Sequence, residues 1–133
     1  MYAICLLAAF FVISAVAQRQ EEKTAPIEST QGPVLYKAYC AVCHGTDGKG
    51  AGPMARYLKV KPSDLTTLTL RNHGKFPMAR VQKLIAGDEE LPAGHGTRSM
   101  PVWGPIFSQI AWDRDLGKVR IYNLAKYLSE MQP

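Results

Sequence analysis

The sequence is short of charge at one end and short of cysteine and histidine throughout. None of its 16 Lys+Arg and 11 Asp+Glu falls within residues 1–17. Three cysteines and three histidines among 133 residues exclude a disulfide-stapled scaffold. No Val/Ile/Thr alternation marks a sheet and no internal repeat is present, which argues against β-architectures and solenoids. The apolar start falls short of the roughly 20 residues of a comfortable membrane span. The length excludes a TIM barrel or a two-half Rossmann fold. What remains is room for one modest core, of a size that often needs a staple.

The charge-free start reads MYAICLLAAFFVISAVA and ends in Ala15-Val16-Ala17 before Gln18, the small-x-small pattern of a secretory cleavage site. Residues 1–17 are therefore expected to be a signal peptide, with a retained short anchor as the alternative, although no Lys or Arg precedes the apolar run. Either way the folded part is expected to be exported, to the periplasm. Residues 18–31, QRQEEKTAPIESTQ, hold Ile27 as their only large apolar side chain and read as a disordered tether. Residues 32–133 are expected to form the folded domain.

Two of the three cysteines stand in Cys40-Ala41-Val42-Cys43-His44. C-x-x-C-H is the spacing of covalent c-type haem attachment. Two thiols a helical turn apart can both reach one edge of a porphyrin, and the next residue brings an imidazole beneath the iron. The motif should arise by chance in about one chain in a thousand of this composition. A thioredoxin-like dithiol would need a βαβ setting, which is lacking here. A zinc site would need a second ligand pair, and His73 and His95 fit no finger spacing.

An electron carrier also needs the opposite face of the iron closed. The candidates are Met54, Met78, Met100, Met131, His73 and His95. Met78 falls in a helical pattern, Met131 at a frayed end, and Met54 too soon after His44. Met100 precedes Pro101, which favours extended backbone, and lies far enough from His44 for the chain to pass round a haem and return. It is the expected sixth ligand, with His95 as competitor.

With these residues in view, the stretch from about Gly32 to Met131 resembles a class I c-type cytochrome of the bacterial, exported, monohaem kind. Gly32, Tyr36 and Cys40 match the family's N-terminal helix, and Leu124 and Tyr127 its C-terminal helix. The resemblance implies that these helices cross at a close glycine contact. CAVCHGTDGKGAGP resembles the haem loop, and it implies that the Pro53 carbonyl accepts the His44 N–H and fixes its tautomer. HGTRSMPVWG resembles the ligand loop, with Met100 axial. The acidic run Asp88-Glu89-Glu90 has no counterpart in this resemblance.

The apolar spacing predicts an all-α fold, about five short helices wrapped around one covalently bound haem. The first is expected from Pro33, with Val34, Leu35, Ala38 and Val42 inward. Ser63 or Asp64 would cap a second, through Leu70. Pro77 would start a third, with Val81, Leu84 and Ile85 inward and Gly87 as its stop. Pro105 would start a fourth, with Ile106, Phe107 and Ile110 inward. Asp115 would cap the last, with Ile121, Leu124, Leu128 and Met131 in one stripe. Trp103 is expected near the haem edge, supporting the ligand loop, whereas Trp112 reads as packing. Arg71, Lys75 and Arg98 are candidates for the propionates.

Together these features describe a one-electron carrier rather than an enzyme, holding one haem c (iron) on Cys40 and Cys43 with His44 and Met100 as axial ligands. A net charge of +5, with Lys49, Lys59 and Lys61 beside the motif, suits protein redox partners with acidic docking surfaces. No nucleic-acid motif appears. Membrane contact is expected only through an uncleaved N-terminus, and the chain is expected to be a monomer. Two other readings stand beside the soluble respiratory carrier. One is a haem c subunit held tightly on a multi-subunit oxidoreductase. The other is a ligand-binding or peroxidatic cytochrome, should Met100 not ligate iron.

Overall fold

The computed structural model describes residues 27–89, 100–110 and 114–133. All regular structure among them is helical, with no strand. The first helix, α1, is continuous through three windings: α-helical Gly32–Leu35, π-wound Tyr36–Cys40 and α-helical Ala41–His44. Then come a 3₁₀ turn at Ala55–Tyr57, a second 3₁₀ turn at Leu65–Thr67 that runs into α2 (Leu68–Arg71), and α3 (Met78–Ala86). Helices α4 (Trp103–Gln109) and α5 (Arg114–Glu130) complete the chain. Helix α5 is the spine on which α1, α3 and α4 all pack. No described helix is long and apolar enough to cross a membrane.

The terminators act as their chemistry dictates. Asp64 caps the turn that leads into α2, accepting the Thr66 N–H at 2.8 Å, so it, rather than Ser63, is the cap. Gly87 takes φ +90° at the end of α3 and donates its N–H to Lys83 O at 2.9 Å, a left-handed stop. Pro105 lies inside the first turn of α4, which starts two residues earlier than expected, at Trp103. A proline so close to the start has no hydrogen-bond partner to lose.

The core is formed by Leu35, Tyr36, Ala41, Val81, Ile85, Phe107, Ile110, Ile121, Leu124, Ala125 and Leu128. Four expected inward residues face out: Val34, Ala38, Val42 and Ile106 are exposed. The rotation of α1 is set by its crossing with α5 rather than by its aliphatic side chains. A Cβ on Gly32 would run into Asn123 O and lie 2.8 Å from Tyr127 Cβ, so the helices meet backbone to backbone. Tyr36 packs on Tyr127 with ring centroids 5.4 Å apart. The expected crossing of these helices is thus present, and it turns Tyr36 inward and Val34 outward.

The expected tether ends sooner than its composition suggests. Arg120 is wholly buried and donates to Glu28 O at 2.9 Å, Ser29 O at 3.2 Å and Phe107 O at 3.1 Å. Asn123 donates to Thr30 O at 2.8 Å, and Ile27 N–H donates to Tyr39 Oη at 2.9 Å. Residues 27–30 therefore form a strap across α1 and α5. They are held through backbone groups, which composition does not reveal.

Candidate haem-attachment site

Helix α1 brings the two thiols and the imidazole together at its C-terminal end. Cys40 and Cys43 are free and half-buried, one turn apart. Burial pushes the Cys40 thiol up to about 12, with the neighbouring Cys43 adding to it, so it stays protonated at neutral pH. Cys40 ends the π-wound segment, on which Tyr36 is buried while Tyr39 and Cys40 pack partly against the core. Such turns inside α-helices recur at functional sites.

Beyond His44 the chain folds straight back on the helix end. Gly50, Gly52 and Met54 donate their N–H groups to the carbonyls of His44 (2.8 Å), Cys43 (3.0 Å) and Val42 (2.9 Å). Carbonyls that a helix terminus would leave open are thereby satisfied. A Cβ on Gly52 would stand 2.6 Å from both Ala41 O and Val42 O, so only glycine permits this approach. Tyr36 Oη locks the turn from below by donating to Gly45 O at 2.7 Å in a buried bond. Its burial raises the phenol to about 12.

His44 Nδ1 lies 3.0 Å from Ser63 O. A carbonyl only accepts, so Nδ1 carries the proton and the Nε2 lone pair is free for a metal. The ring is held below its ordinary pKa by desolvation, which keeps it neutral, as ligation requires. The expected acceptor, the Pro53 carbonyl, is replaced by that of Ser63. The reason is the fold-back: residues 50–54 bond to the end of α1, while residues 62–65 come alongside, with Leu65 N–H donating to Gly48 O at 2.7 Å. Pro53 is exposed and lines an open surface depression with Arg56 and Lys61.

Helix α4 packs its first residue beside the thiol-bearing end of α1. Met100 packs partly against the core, three residues ahead of Trp103. The Trp103 ring lies 5.1 Å from Tyr39 and 5.7 Å from Phe107, beside the residue that precedes Cys40. The other methionines are placed elsewhere. Met54 is exposed, Met78 packs partly on the core, and the Met131 methyl lies against Gly48. His73 is an exposed turn residue with φ +55°. His95, Arg98, Glu90 and Trp112 lie outside the described residues. Lys75 is exposed, and Arg71 donates to Asp64 O at 2.6 Å. Glu89 of the acidic run pairs with Arg80 at 2.9 Å. Lys49, Lys59 and Lys61 are all exposed, with Arg56 among them.

Three residues escaped the sequence reading. Arg120 sits four residues before Leu124 and one before Ile121, so its register on the buried stripe was the available signal. Tyr39 carries no signal beyond its place next to Cys40. Gln132 donates to Leu65 O at 2.9 Å and accepts the Thr69 N–H at 3.0 Å, a link from the chain's end to α2 that no local pattern announces.

The residues present fit a covalently bound haem. They offer two free thiols a turn apart, a neutral imidazole anchored at Nδ1, and a glycine loop whose amides satisfy the carbonyls at the helix end. No curated protein and no solved structure matches the chain. The family model described as cytochrome C oxidase, cbb3-type, subunit III matches residues 28–128, a span that opens at the strap and takes in all five helices except the last residues of α5. The all-helical fold, the C-x-x-C-H helix end and this match together show that the chain belongs to that family of c-type cytochromes.

Proposed function

We propose that the chain holds one haem c through thioethers at Cys40 and Cys43, with His44 and Met100 as axial ligands, and passes single electrons between respiratory or dehydrogenase partners. A cytochrome c domain of this family is a haem c electron carrier; the ligands and partners are the proposal. The observation that carries it is the anchored His44 imidazole, Nδ1–H on Ser63 O at 3.0 Å, immediately after the two free thiols. When bound, haem c supplies a reversible one-electron couple, and no bond in a substrate is made or broken.

The protein's own part is to hold the ligands still. Ser63 O fixes the tautomer and plane of His44 and raises its basicity. The Gly50, Gly52 and Met54 amides tie the loop to the helix end, so little moves when the charge at the centre changes. A thioether from Met100 favours the reduced state and a higher potential than a second imidazole would. Lys49, Arg56, Lys59 and Lys61 make the exposed ground around the attachment loop positive, which suits acidic docking surfaces on partners and salt-sensitive rates.

Substitution of Met100 tests the ligation. Met100→Ala is expected to remove the weak far-red sulfur-to-iron absorption of the ferric protein and to lower its potential. Persistence of the band in Met100→Ala would move the assignment to another methionine, whereas a wild-type protein that lacks the band would favour His95 or the peroxidatic or ligand-binding alternative for the centre.

The family's description as an oxidase subunit favours a second reading, a haem c subunit held on an oxidoreductase. Co-purification with a catalytic subunit at high salt supports it, and a freely diffusing monomer supports the carrier. Export and cleavage after Ala17 belong to the same proposal and are read by N-terminal sequencing of the mature protein.

A further inference from the structure

One aromatic contact joins the thiol-bearing end of α1 to the start of α4. Tyr39 stands directly before Cys40 on the π-wound part of α1. Its ring centroid lies 5.1 Å from that of Trp103 at 51°, and 5.4 Å from that of Phe107 at 65°. Trp103 and Phe107 stack on each other at 5.7 Å and 22°. Tilted and edge-on rings at these distances place positive edges on negative faces and attract. The Tyr39 hydroxyl is held in turn, accepting the Ile27 N–H at 2.9 Å. Phe107 is fixed from the far side, since its carbonyl takes a hydrogen bond from Arg120 at 3.1 Å.

Both helices pack on α5, but Tyr39 connects them to each other. Tyr39 is itself covalently next to the Cys40 thiol, and its ring neighbour Trp103 begins α4 three residues after Met100. We propose that Tyr39 is a positioning residue, which holds the start of α4, three residues after Met100, against the thiol-bearing end of α1 and so keeps the thioether from being displaced. The proposal rests on the reading of Met100 as an axial ligand. It assigns Tyr39 no contact with the cofactor and no part in carrying the electron.

Exogenous imidazole measures this directly, because it binds ferric haem only when the methionine side swings away. Its apparent affinity rises by the factor by which the displaced state becomes more populated. An aromatic pair of this kind is worth about a two- to ten-fold change in such a balance. The experiment titrates the ferric holoprotein with imidazole and follows the far-red band in wild type, Tyr39→Leu, Tyr39→Met, Trp103→Leu and Met100→Ala. Tyr39→Met keeps most of the volume without the ring, and it serves where the leucine variant holds haem poorly.

The expected result is about two- to ten-fold tighter imidazole binding in both Tyr39 variants. The double variant Tyr39→Leu/Trp103→Leu should gain less than the sum of its singles, as for residues that act through one contact. A merely structural role would lower the melting temperature and leave imidazole affinity at the wild-type value. That outcome, with Met100→Ala still abolishing the band, overturns the Tyr39 assignment alone. Persistence of the band in Met100→Ala overturns the ligation reading and this assignment with it.

Discussion

Arg120 offers the sharpest test of how the domain is held together. Its guanidinium is wholly buried, and its acceptors at Glu28, Ser29 and Phe107 are all backbone carbonyls. An Arg120→Leu variant keeps much of the packing and deletes all three bonds. The Phe107 carbonyl, whose bond is buried, would then be stranded at about 1–3 kcal/mol. The strap carbonyls can recover water, so each loses nearer 0.5–1 kcal/mol. Relief of the buried cation's desolvation offsets part of this, which leaves a net loss of about 1–4 kcal/mol. For a domain of this size that corresponds to a fall in melting temperature of roughly 5–25 °C. Thermal unfolding of the holoprotein followed by circular dichroism reads the loss, and limited proteolysis reads release of residues 27–30. Arg120→Lys, which keeps the charge but cannot span three acceptors, should fall between the two. An Arg120→Leu protein as stable as wild type would refute the reasoning, because the cation's burial would then cost as much as its bonds return.

Other expectations follow from single contacts. Gly32→Ala should cost about 1–3 kcal/mol in a denaturant titration, since its Cβ would meet Asn123 O and Tyr127 Cβ; a neutral result would mean that the α1–α5 crossing is loose. Gln132→Ala should cost about 1 kcal/mol and increase amide exchange at Thr69, whose N–H it holds. His73→Gly should stabilise by about 0.5–1 kcal/mol, because a histidine now occupies φ +55°; no gain in melting temperature would mean the turn relaxes at no cost. The Asp64 carboxyl is held below its ordinary value near 3.8 by the Thr66 side chain and then the Thr66 N–H. Its folded value is the depressed one, so its stabilisation is present above about pH 3.8 and is lost as pH falls through the lower folded value. Asp64→Asn should remove that step from the acid-unfolding curve.

The attachment motif was legible because C-x-x-C-H needs only helical spacing. The helix crossing was legible through the family resemblance, and the missing Cβ of Gly32 opposite Tyr127 is its physical reason. The rotation of α1 was not legible, because aliphatic spacing suggests Val34 and Val42 as inward residues while the glycine contact turns Tyr36 in instead. The carbonyl behind His44 was misplaced for a related reason. Any carbonyl can serve, and which one arrives depends on how residues 50–54 and 62–65 pass each other, a tertiary matter. Arg120 and the strap were hidden because charge and polarity read as solvent exposure. Here a backbone segment of little apolar content is held by an arginine on a buried stripe.

Covalent attachment at Cys40 and Cys43 is the claim on which the rest depends. Intact-mass measurement of the exported protein after acid–acetone extraction tests it most directly, with Cys40→Ala/Cys43→Ala alongside. The account predicts a wild-type chain heavier by one haem and a double variant at the mass of the bare polypeptide. A wild-type chain that emerges at its bare mass, or a double variant that keeps the added haem, would contradict it.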